Sequence, residues 1–108
     1  MEPLTPAVFH VLLALAEGER HGYGIMKEIA DRTNQKVTMG PGTLYGTLQR
    51  MLEAGLVEEC SAKHQQDRRR YYRLTRHGRL AAIAEAERLE KLVSDAYEKA
   101  VLKRPRMA

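Results

Sequence analysis

The sequence contains one cysteine, no tryptophan and no apolar run long enough to cross a membrane. The single cysteine, Cys60, excludes an internal disulfide framework and agrees with a reducing compartment. The longest uninterrupted apolar run extends only from Val11 to Ala16, whereas a membrane-spanning helix needs about 20 residues. The opening residues, Met1-Glu2-Pro3, are also unlike a secretory signal. These absences predict a cytoplasmic protein with no membrane partner.

Residues that would form a catalytic or metal site are scarce as well. The four histidines lack the spacing of metal ligands, and neither acidic residues nor the cysteine cluster with them, so we interpret them as ordinary. No arrangement of serine, histidine and acid, and no carboxylate pair, indicates catalysis. We therefore predict that the chain is not an enzyme and that it binds no metal and no cofactor.

Basic residues, by contrast, are concentrated in one stretch. The net charge is +4 over 108 residues. Between Lys63 and Arg79, seven lysines and arginines stand against Asp67 alone, so this stretch carries +6 and the rest of the chain −2. A local basic stripe is the electrostatic footprint of a nucleic-acid contact. A solvated charged hairpin remains the alternative interpretation at this point.

The first predicted helix covers residues 6–17. Thr5 is placed to cap it, Pro6 suits its first turn, and the sequence Glu17-Gly18 ends it. Its residues are apolar on almost every side, and a domain of this size can cover only one of those sides. The pattern therefore favours a second chain that covers the rest.

Three further helices and a hairpin follow. The second helix ends near residues 33–34, and the third begins at Pro41 with Gly55 as its C-terminal cap. Two strand candidates, residues 56–63 and 70–75, form a hairpin with a basic tip. A long last helix, from about residue 76 to 102, has apolar residues at alternating spacings of 4 and 3, the seam of a coiled-coil packing face.

These elements predict a mainly α fold with a small two-stranded antiparallel β-hairpin, arranged as a winged helix-turn-helix followed by a C-terminal dimerisation helix. The expected units are a DNA-binding domain over residues 1–75, the dimerisation helix over 76–102 and a basic tail over 103–108. The residues predicted to form the dimer contact are Phe9, Leu12, Ala82, Ala86, Leu89, Val93, Ala96 and Ala100.

The third helix is unusual because glycines stand near its front, in the sequence GPGTLYGTLQRMLEAGL of residues 40–56. A glycine inside a helix costs about 1 kcal/mol relative to alanine. The spacing of Gly40, Gly42 and Gly46 is close to a dinucleotide fingerprint, but that motif needs a buried strand before it. The preceding residues are polar and irregular, and no phosphate-loop lysine is present, which argues against nucleotide binding.

A DNA contact explains these glycines better. At about 100° per residue, Leu44, Leu48, Met51 and Leu52 form one narrow stripe that must face the core. The opposite side contains Gly42, Gly46, Gln49, Arg50 and Glu53. A helix face without side chains lets the backbone enter a major groove while glutamine and arginine reach base edges. The alternative is that these residues are merely exposed.

Four ordered motifs make the chain resemble the PadR-type transcriptional regulators. The sequence HGYGI at residues 21–25 is similar to the opening of that family's second helix, and PGTLY at 41–45 to the opening of its recognition helix. EAGLV at 53–57 is similar to its helix-to-strand turn, and RRYYRLTRHGR at 69–79 to the wing strand that enters the last helix. Two positions depart from the family: Gly24 stands where glutamate is frequent, and Gly46 where proline is frequent.

The resemblance implies a homodimer whose third helix enters the major groove while the wing lies along the DNA backbone or minor groove. It implies that Thr43 and Tyr45 contact DNA. Members often respond to small aromatic or lipophilic molecules bound near the dimer interface, so such an effector is a further expectation. The complete set of expected DNA contacts is Thr43, Tyr45, Gly46, Gln49, Arg50, Lys36, Arg68, Arg69 and Arg70.

The sequence therefore predicts a homodimeric winged-helix repressor that binds an inverted-repeat operator in double-stranded DNA. The alternative function is a winged-helix adaptor that binds a protein rather than specific DNA. A cluster of seven basic residues in seventeen favours the first interpretation.

Overall fold

The computed structural model describes residues 3–60 and 68–103. Within those ranges the elements are α1 Pro6–Ala14, β1 Arg20–His21, α2 Gly22–Arg32, α3 Pro41–Glu53, β2 Val57–Glu59, β3 Tyr71–Leu74 and α4 Arg76–Glu98. The predicted fold class is confirmed. None of the helices described is both long and apolar enough to span a membrane.

The sheet has three antiparallel strands in the order β1-β3-β2, where the sequence predicted two. The hairpin of β2 and β3 aligns Val57 with Leu74 and Glu58 with Arg73. The additional strand, β1, aligns His21 with Tyr71. It is two residues long, too short to show the alternation by which a strand is recognised in a sequence. Residues 61–67, which include the end of the first predicted strand and most of the predicted connection at 64–69, lie outside the described residues.

The core lies where α1, α2 and α3 meet. Apolar side chains with no more than 1% exposure come from all three helices and from Leu15 at the end of α1: Val11, Leu12, Ala14, Leu15, Ile25, Ile29, Leu44, Leu48 and Met51. The leucine stripe predicted on α3 is therefore confirmed, with Leu52 half-buried at its edge. This packing leaves the opposite side of α3 at the surface.

The first helix is shorter than predicted, because it ends at Ala14 instead of residue 17. Leu15 caps it, and the chain then turns through Gly18 at a φ of +154°. Arginine side chains satisfy carbonyls of this end: Arg20 Nε donates to Ala14 O at 2.8 Å, and Arg79 Nη2 donates to Ala16 O at 3.0 Å. Arg79, part of the predicted basic stripe, therefore has a structural role.

The start of α4 is fixed tightly to the turn that follows α3. The Thr75 hydroxyl donates to Gly55 O at 2.5 Å and accepts from the Gly78 N–H at 3.0 Å, which caps the helix. Gly78 lies directly against the Leu56 carbonyl, so that a Cβ on Gly78 would stand 1.9 Å from that oxygen. Only glycine permits this approach.

The fourth helix ends at Glu98 and not near residue 102, because Lys99 caps it and Ala100 has a φ of +60°. Its first half packs on α1 and β3. There the buried Glu85 carboxylate accepts hydrogen bonds from Arg88 and from the Leu4 N–H. The hydrogen bond from Arg88 is the main cause that holds the pKa of Glu85 below its ordinary value of 4.5.

Candidate nucleic-acid interface

The exposed side of α3 contains the polar residues that the sequence predicted to reach DNA. Gln49 and Arg50 are both exposed. In the free protein Gln49 Nε2 donates to Glu53 Oε1 at 3.2 Å, and Arg50 Nη2 approaches Thr47 Oγ1 at 3.4 Å. Both side chains thus lie along the helix surface, with weak local partners that a base edge can replace.

Packing within the described protein does not require glycine at the two positions on this side of α3. A Cβ on Gly42 would meet nothing within 4 Å, and one on Gly46 would meet only the tip of Arg50 at 3.9 Å. The helix runs without interruption from Pro41 to Glu53. The fold would therefore accept alanine at both positions. Because Gly42 and Gly46 have no side chains, they leave a shallow strip on the surface of α3, which we call the bare strip.

Tyr45 connects α3 to α2. It is 46% exposed, and its hydroxyl lies over Gly22 at the start of α2, where a Cβ would stand 2.3 Å from Tyr45 Oη. Thr43, the other residue implied by the family resemblance, is exposed near the front of α3. Tyr45 therefore offers a surface to a ligand while its position depends on the glycine beneath it.

Lys36 lies in the turn between α2 and α3 and is exposed. The Thr33 hydroxyl holds this turn by donating to Ile29 O at 2.8 Å and accepting from Val37 N at 3.0 Å. Asn34 and Gln35 both adopt positive φ values, 54° and 65°. Lys36 is therefore exposed in the turn that precedes Pro41, the first residue of α3.

The hairpin brings acidic residues against the basic stripe. Arg73 Nε lies 2.8 Å from Glu58 Oε1, and Arg70 Nε lies 3.9 Å from Glu59 Oε1. The charge of +6 counted along residues 63–79 omitted these glutamates, because they belong to the neighbouring strand β2. The positive charge at the surface of the hairpin is therefore smaller, and confined to fewer residues, than the count along the sequence suggested.

Two of the three exposed arginines before β3 lie next to α2 and α3. Arg68, Arg69 and Arg70 are all exposed. A surface cavity of about 460 Å³ brings two of them together with residues of the recognition region; its lining is His21, Gly22, Tyr23, Tyr45, Arg69 and Arg70. The structure thus unites predicted contacts from the wing and from α3.

His21 is a site residue that the sequence analysis missed, since it treated all histidines as ordinary. Its Nδ1 accepts from the Gly24 N–H at 3.0 Å and so caps α2. Its Nε2 lies 2.9 Å from Arg69 Nη1, and its ring meets Tyr71 edge-on at 5.2 Å. The position of His21 immediately before a helix was a weak sequence signal for its role as the N-cap. Its contact with Arg69 was not predictable in this way, because it depends on the pairing of β1 with β3.

The predicted dimer residues differ widely in accessibility. Leu12 is fully buried in the core of the single chain, so a partner chain cannot contact it. Leu13, the next residue, is 36% exposed. Phe9 is half-buried, and Ala100 lies beyond the end of α4. On the second half of α4, Leu92 and Val93 are 51% and 45% exposed. The remaining members, Ala82, Ala86, Leu89 and Ala96, range from half-buried to exposed.

The described residues were also compared with the requirements of a metal site and of an effector site. Among residues 3–60 and 68–103, no group of three or more histidine, cysteine or acidic side chains could hold a metal ion. Cys60 is buried. Met26 and Tyr23 share a surface cavity of about 350 Å³ on α2 and the following turn. None of the residues that line this cavity belongs to α4, whereas the resemblance implies an effector near the dimer interface.

Known proteins with similar sequences are transcriptional regulators or uncharacterized proteins. Residues 11–84 match the transcriptional regulator PadR-like family. A transcriptional regulator of Mycobacterium tuberculosis is 35% identical over 86 residues, which cover 80% of this chain and 78% of that protein. An uncharacterized 37.1 kDa protein of a Streptomyces fradiae transposon is 37% identical over 91 residues, but this chain spans only 25% of its length.

Solved structures show the same fold. A transcriptional regulator from Clostridium thermocellum is 27% identical with a TM-score of 0.72, over 89% of this chain and 90% of that one. RosR of H. salinarum is 27% identical with a TM-score of 0.62, over 92% and 96% of the respective chains.

Proposed function

Because the chain belongs to the transcriptional regulator PadR-like family, we propose that it is a repressor that binds an inverted-repeat operator in double-stranded DNA as a homodimer. The observation that carries this proposal is the bare strip of α3. Gly42 and Gly46 are unnecessary to the fold, yet they lie on the side where Gln49 and Arg50 are exposed. A helix that must approach the floor of a major groove has a use for such a strip.

The wing supports the same proposal. Arg69 and Arg70 lie beside α3, and Arg68 precedes them at the surface. There the three arginines would neutralise phosphates and fix the orientation of the protein on the duplex. Base contacts from α3 then provide the sequence preference. Release by a small aromatic or lipophilic effector near the dimer interface is part of the proposal, and it rests on the family alone.

Selection of duplexes from a random pool tests this function directly. We expect the purified protein to enrich a palindromic sequence, because a two-fold dimer presents two identical recognition helices. Enrichment of a single, asymmetric site would contradict the dimeric arrangement. If no sequence is enriched, DNA recognition is refuted and a protein-binding adaptor becomes the better interpretation.

Replacing Gly46 with alanine should strengthen the fold and weaken DNA binding. The added methyl group has space in the free protein, and alanine in place of glycine stabilises a helix by about 1 kcal/mol. The same methyl group would separate α3 from the groove, so we expect affinity for the selected duplex to fall about tenfold, or about 1.4 kcal/mol. Thermal unfolding and fluorescence anisotropy measure the two effects.

The matched control is Ala54→Ser, which adds one heavy atom at an exposed position after the same helix. It should leave the affinity unchanged. If Gly46→Ala binds as tightly as the wild type, the bare strip does not approach DNA closely.

The second half of α4 is the proposed centre of the dimer contact. Replacing Leu92 with glutamate should shift the protein from dimer to monomer, because the charge would be placed in an apolar interface. Sedimentation velocity over a range of concentrations measures the shift. Glu87→Lys is the control, since at 100° per residue position 87 lies about 140° from Leu92 and 120° from Val93, and Glu87 is exposed. Equal association of both variants would exclude this face.

A further inference from the structure

Gly22, the buried first residue of α2, lies in direct contact with the end of the Tyr45 side chain. A Cβ on Gly22 would stand 2.3 Å from Tyr45 Oη, 2.7 Å from Cζ and 3.1 Å from Cε1. Non-bonded heavy atoms prefer separations of about 3.5 Å, so all three atoms would have to move. The Tyr45 ring therefore occupies the space that any other residue at position 22 would need for its side chain.

The backbone at Gly22 does not itself require glycine. Among the described residues, the glycines with a positive φ are Gly18 and Gly55, and Gly22 is not one of them. Its position is the first of the helix, directly after the N-cap residue His21, and alanine is the residue most favourable to a helix. The three nearest atoms that a Cβ would meet all belong to Tyr45. The requirement for glycine thus comes from the tyrosine ring.

The Tyr45 side chain cannot avoid this contact by a shift of α3. The preceding residue, Leu44, is fully buried in the core, and Leu48 on the same side of the helix is 1% exposed. A movement of the helix would disrupt this close packing, whereas a rotation of one half-exposed tyrosine would not. With alanine at position 22, the Tyr45 hydroxyl would therefore be displaced by about 1 Å from its place in the cavity that it lines with Arg69 and Arg70.

We propose that Gly22 is a positioning residue for DNA binding, which sets the place of the Tyr45 hydroxyl on the DNA-facing surface through direct contact with the ring. The proposal rests on the proposed function and on the expected contact of Tyr45 with DNA. Tyrosine hydroxyls are among the groups that bind phosphate oxygens and fix the register of a protein on the duplex. The start of α2 thus determines where α3 is anchored to the DNA strand, although Gly22 has no side chain that could touch DNA.

Replacing Gly22 with alanine should weaken DNA binding while the protein remains folded. We expect the affinity for the selected duplex to fall about tenfold, the loss typical of a hydrogen bond to a charged group. The loss should be the same for a scrambled duplex, because a phosphate carries no sequence information. Gly24→Ala is the matched control in the first turn of the same helix, since a Cβ there would meet ordinary contacts, the nearest at 3.5 Å to His21 Cε1. It should bind like the wild type.

A double-mutant cycle shows whether the effect passes through Tyr45. Tyr45→Ala removes the ring and should lower the affinity about tenfold, as Gly22→Ala does. With the ring absent, a methyl group at position 22 has space, so the double variant should bind as tightly as Tyr45→Ala alone. If Gly22→Ala causes the same tenfold loss in both backgrounds, it acts by a route other than Tyr45 and the proposal is refuted.

Thermal unfolding gives a measurement that does not depend on DNA. Gly22→Ala should melt at a lower temperature than Gly24→Ala, because the displaced ring loses its contact with α2. In the Tyr45→Ala background, Gly22→Ala should no longer lower the melting temperature. A lowered temperature in that background would show that the methyl group meets atoms other than the ring.

NMR of the free protein checks the contact itself. A nuclear Overhauser effect between the Gly22 α-protons and the Tyr45 ring should be present in the wild type, and its absence would overturn the proposal. If the wild type binds the selected duplex and Gly22→Ala binds equally well, the role of Gly22 is refuted while the proposed function stands. If the wild type binds no duplex, the proposed function fails, and the role of Gly22 in DNA binding fails with it.

Discussion

Replacing Gly78 with alanine is expected to destabilise the protein by about 3 kcal/mol or more, a large overpacking effect. The new Cβ would stand 1.9 Å from the Leu56 carbonyl oxygen and 2.9 Å from its carbonyl carbon. Backbone atoms cannot move aside as a side chain does. The same oxygen accepts from Thr75 N–H at 3.1 Å, so a shift would also break the connection between the wing strand and α4.

Urea unfolding at one fixed protein concentration measures this effect, since the proposed dimerisation would make apparent stability depend on concentration. Gly42→Ala is the matched control, because it is the same chemical change at a helical position where a Cβ meets nothing within 4 Å. Its stability should be equal to or greater than that of the wild type. If Gly78→Ala is as stable as Gly42→Ala, α4 does not approach the turn after α3 as closely as described.

Replacing Arg68, Arg69 and Arg70 together with alanine should cause the largest loss of DNA binding. Each phosphate that is no longer neutralised reduces the salt slope by about 0.9, so three contacts predict a reduction of about 2 to 3. We expect the affinity at low salt to fall about a hundredfold or more, for every duplex alike, because phosphates carry no sequence information. Anisotropy titrations at several salt concentrations, with the selected and a scrambled duplex, give both quantities.

Arg73→Ala is the matched control within the same basic stripe. Arg73 is already paired with Glu58 across the hairpin at 2.8 Å, so its removal should change the salt slope much less than any of the three wing positions does. A triple variant with an unchanged slope would remove the wing from the DNA contact. An Arg73 effect equal to that of its neighbours would show that the Glu58 pair opens when DNA binds.

Helix α3 was predictable from the sequence because its signals are local. Pro41 at the start, Gly55 after the end and the spacing of Leu44, Leu48 and Met51 all lie within one short segment. Helical periodicity alone identifies the buried side and hence the exposed one. The bare strip formed by the glycines follows from the same projection.

The features that were missed depend on contacts between distant segments. Glu58 and Glu59 reduce the basic surface only because β2 lies beside β3, and a charge count along the chain omits them. The meeting of His21 with Arg69 likewise requires the pairing of β1 with β3. Leu12 shows a different limit: periodicity is uninformative in a helix that is apolar all round, so Leu12 and Leu13 could not be told apart without the fold.

For the dimer and inverted-repeat operator proposed above, the bonds of Thr75 and the contact of Gly78 have a consequence for the distance between the two half-sites. They fix the start of α4 to the turn that leads directly from α3 into β2, so these contacts hold α4 in a defined position relative to the end of α3. In a dimer that pairs through α4, the crossing angle of the two helices then sets how far apart the two recognition helices stand. Operators with one or two base pairs inserted at their centre would measure how rigidly that spacing is held.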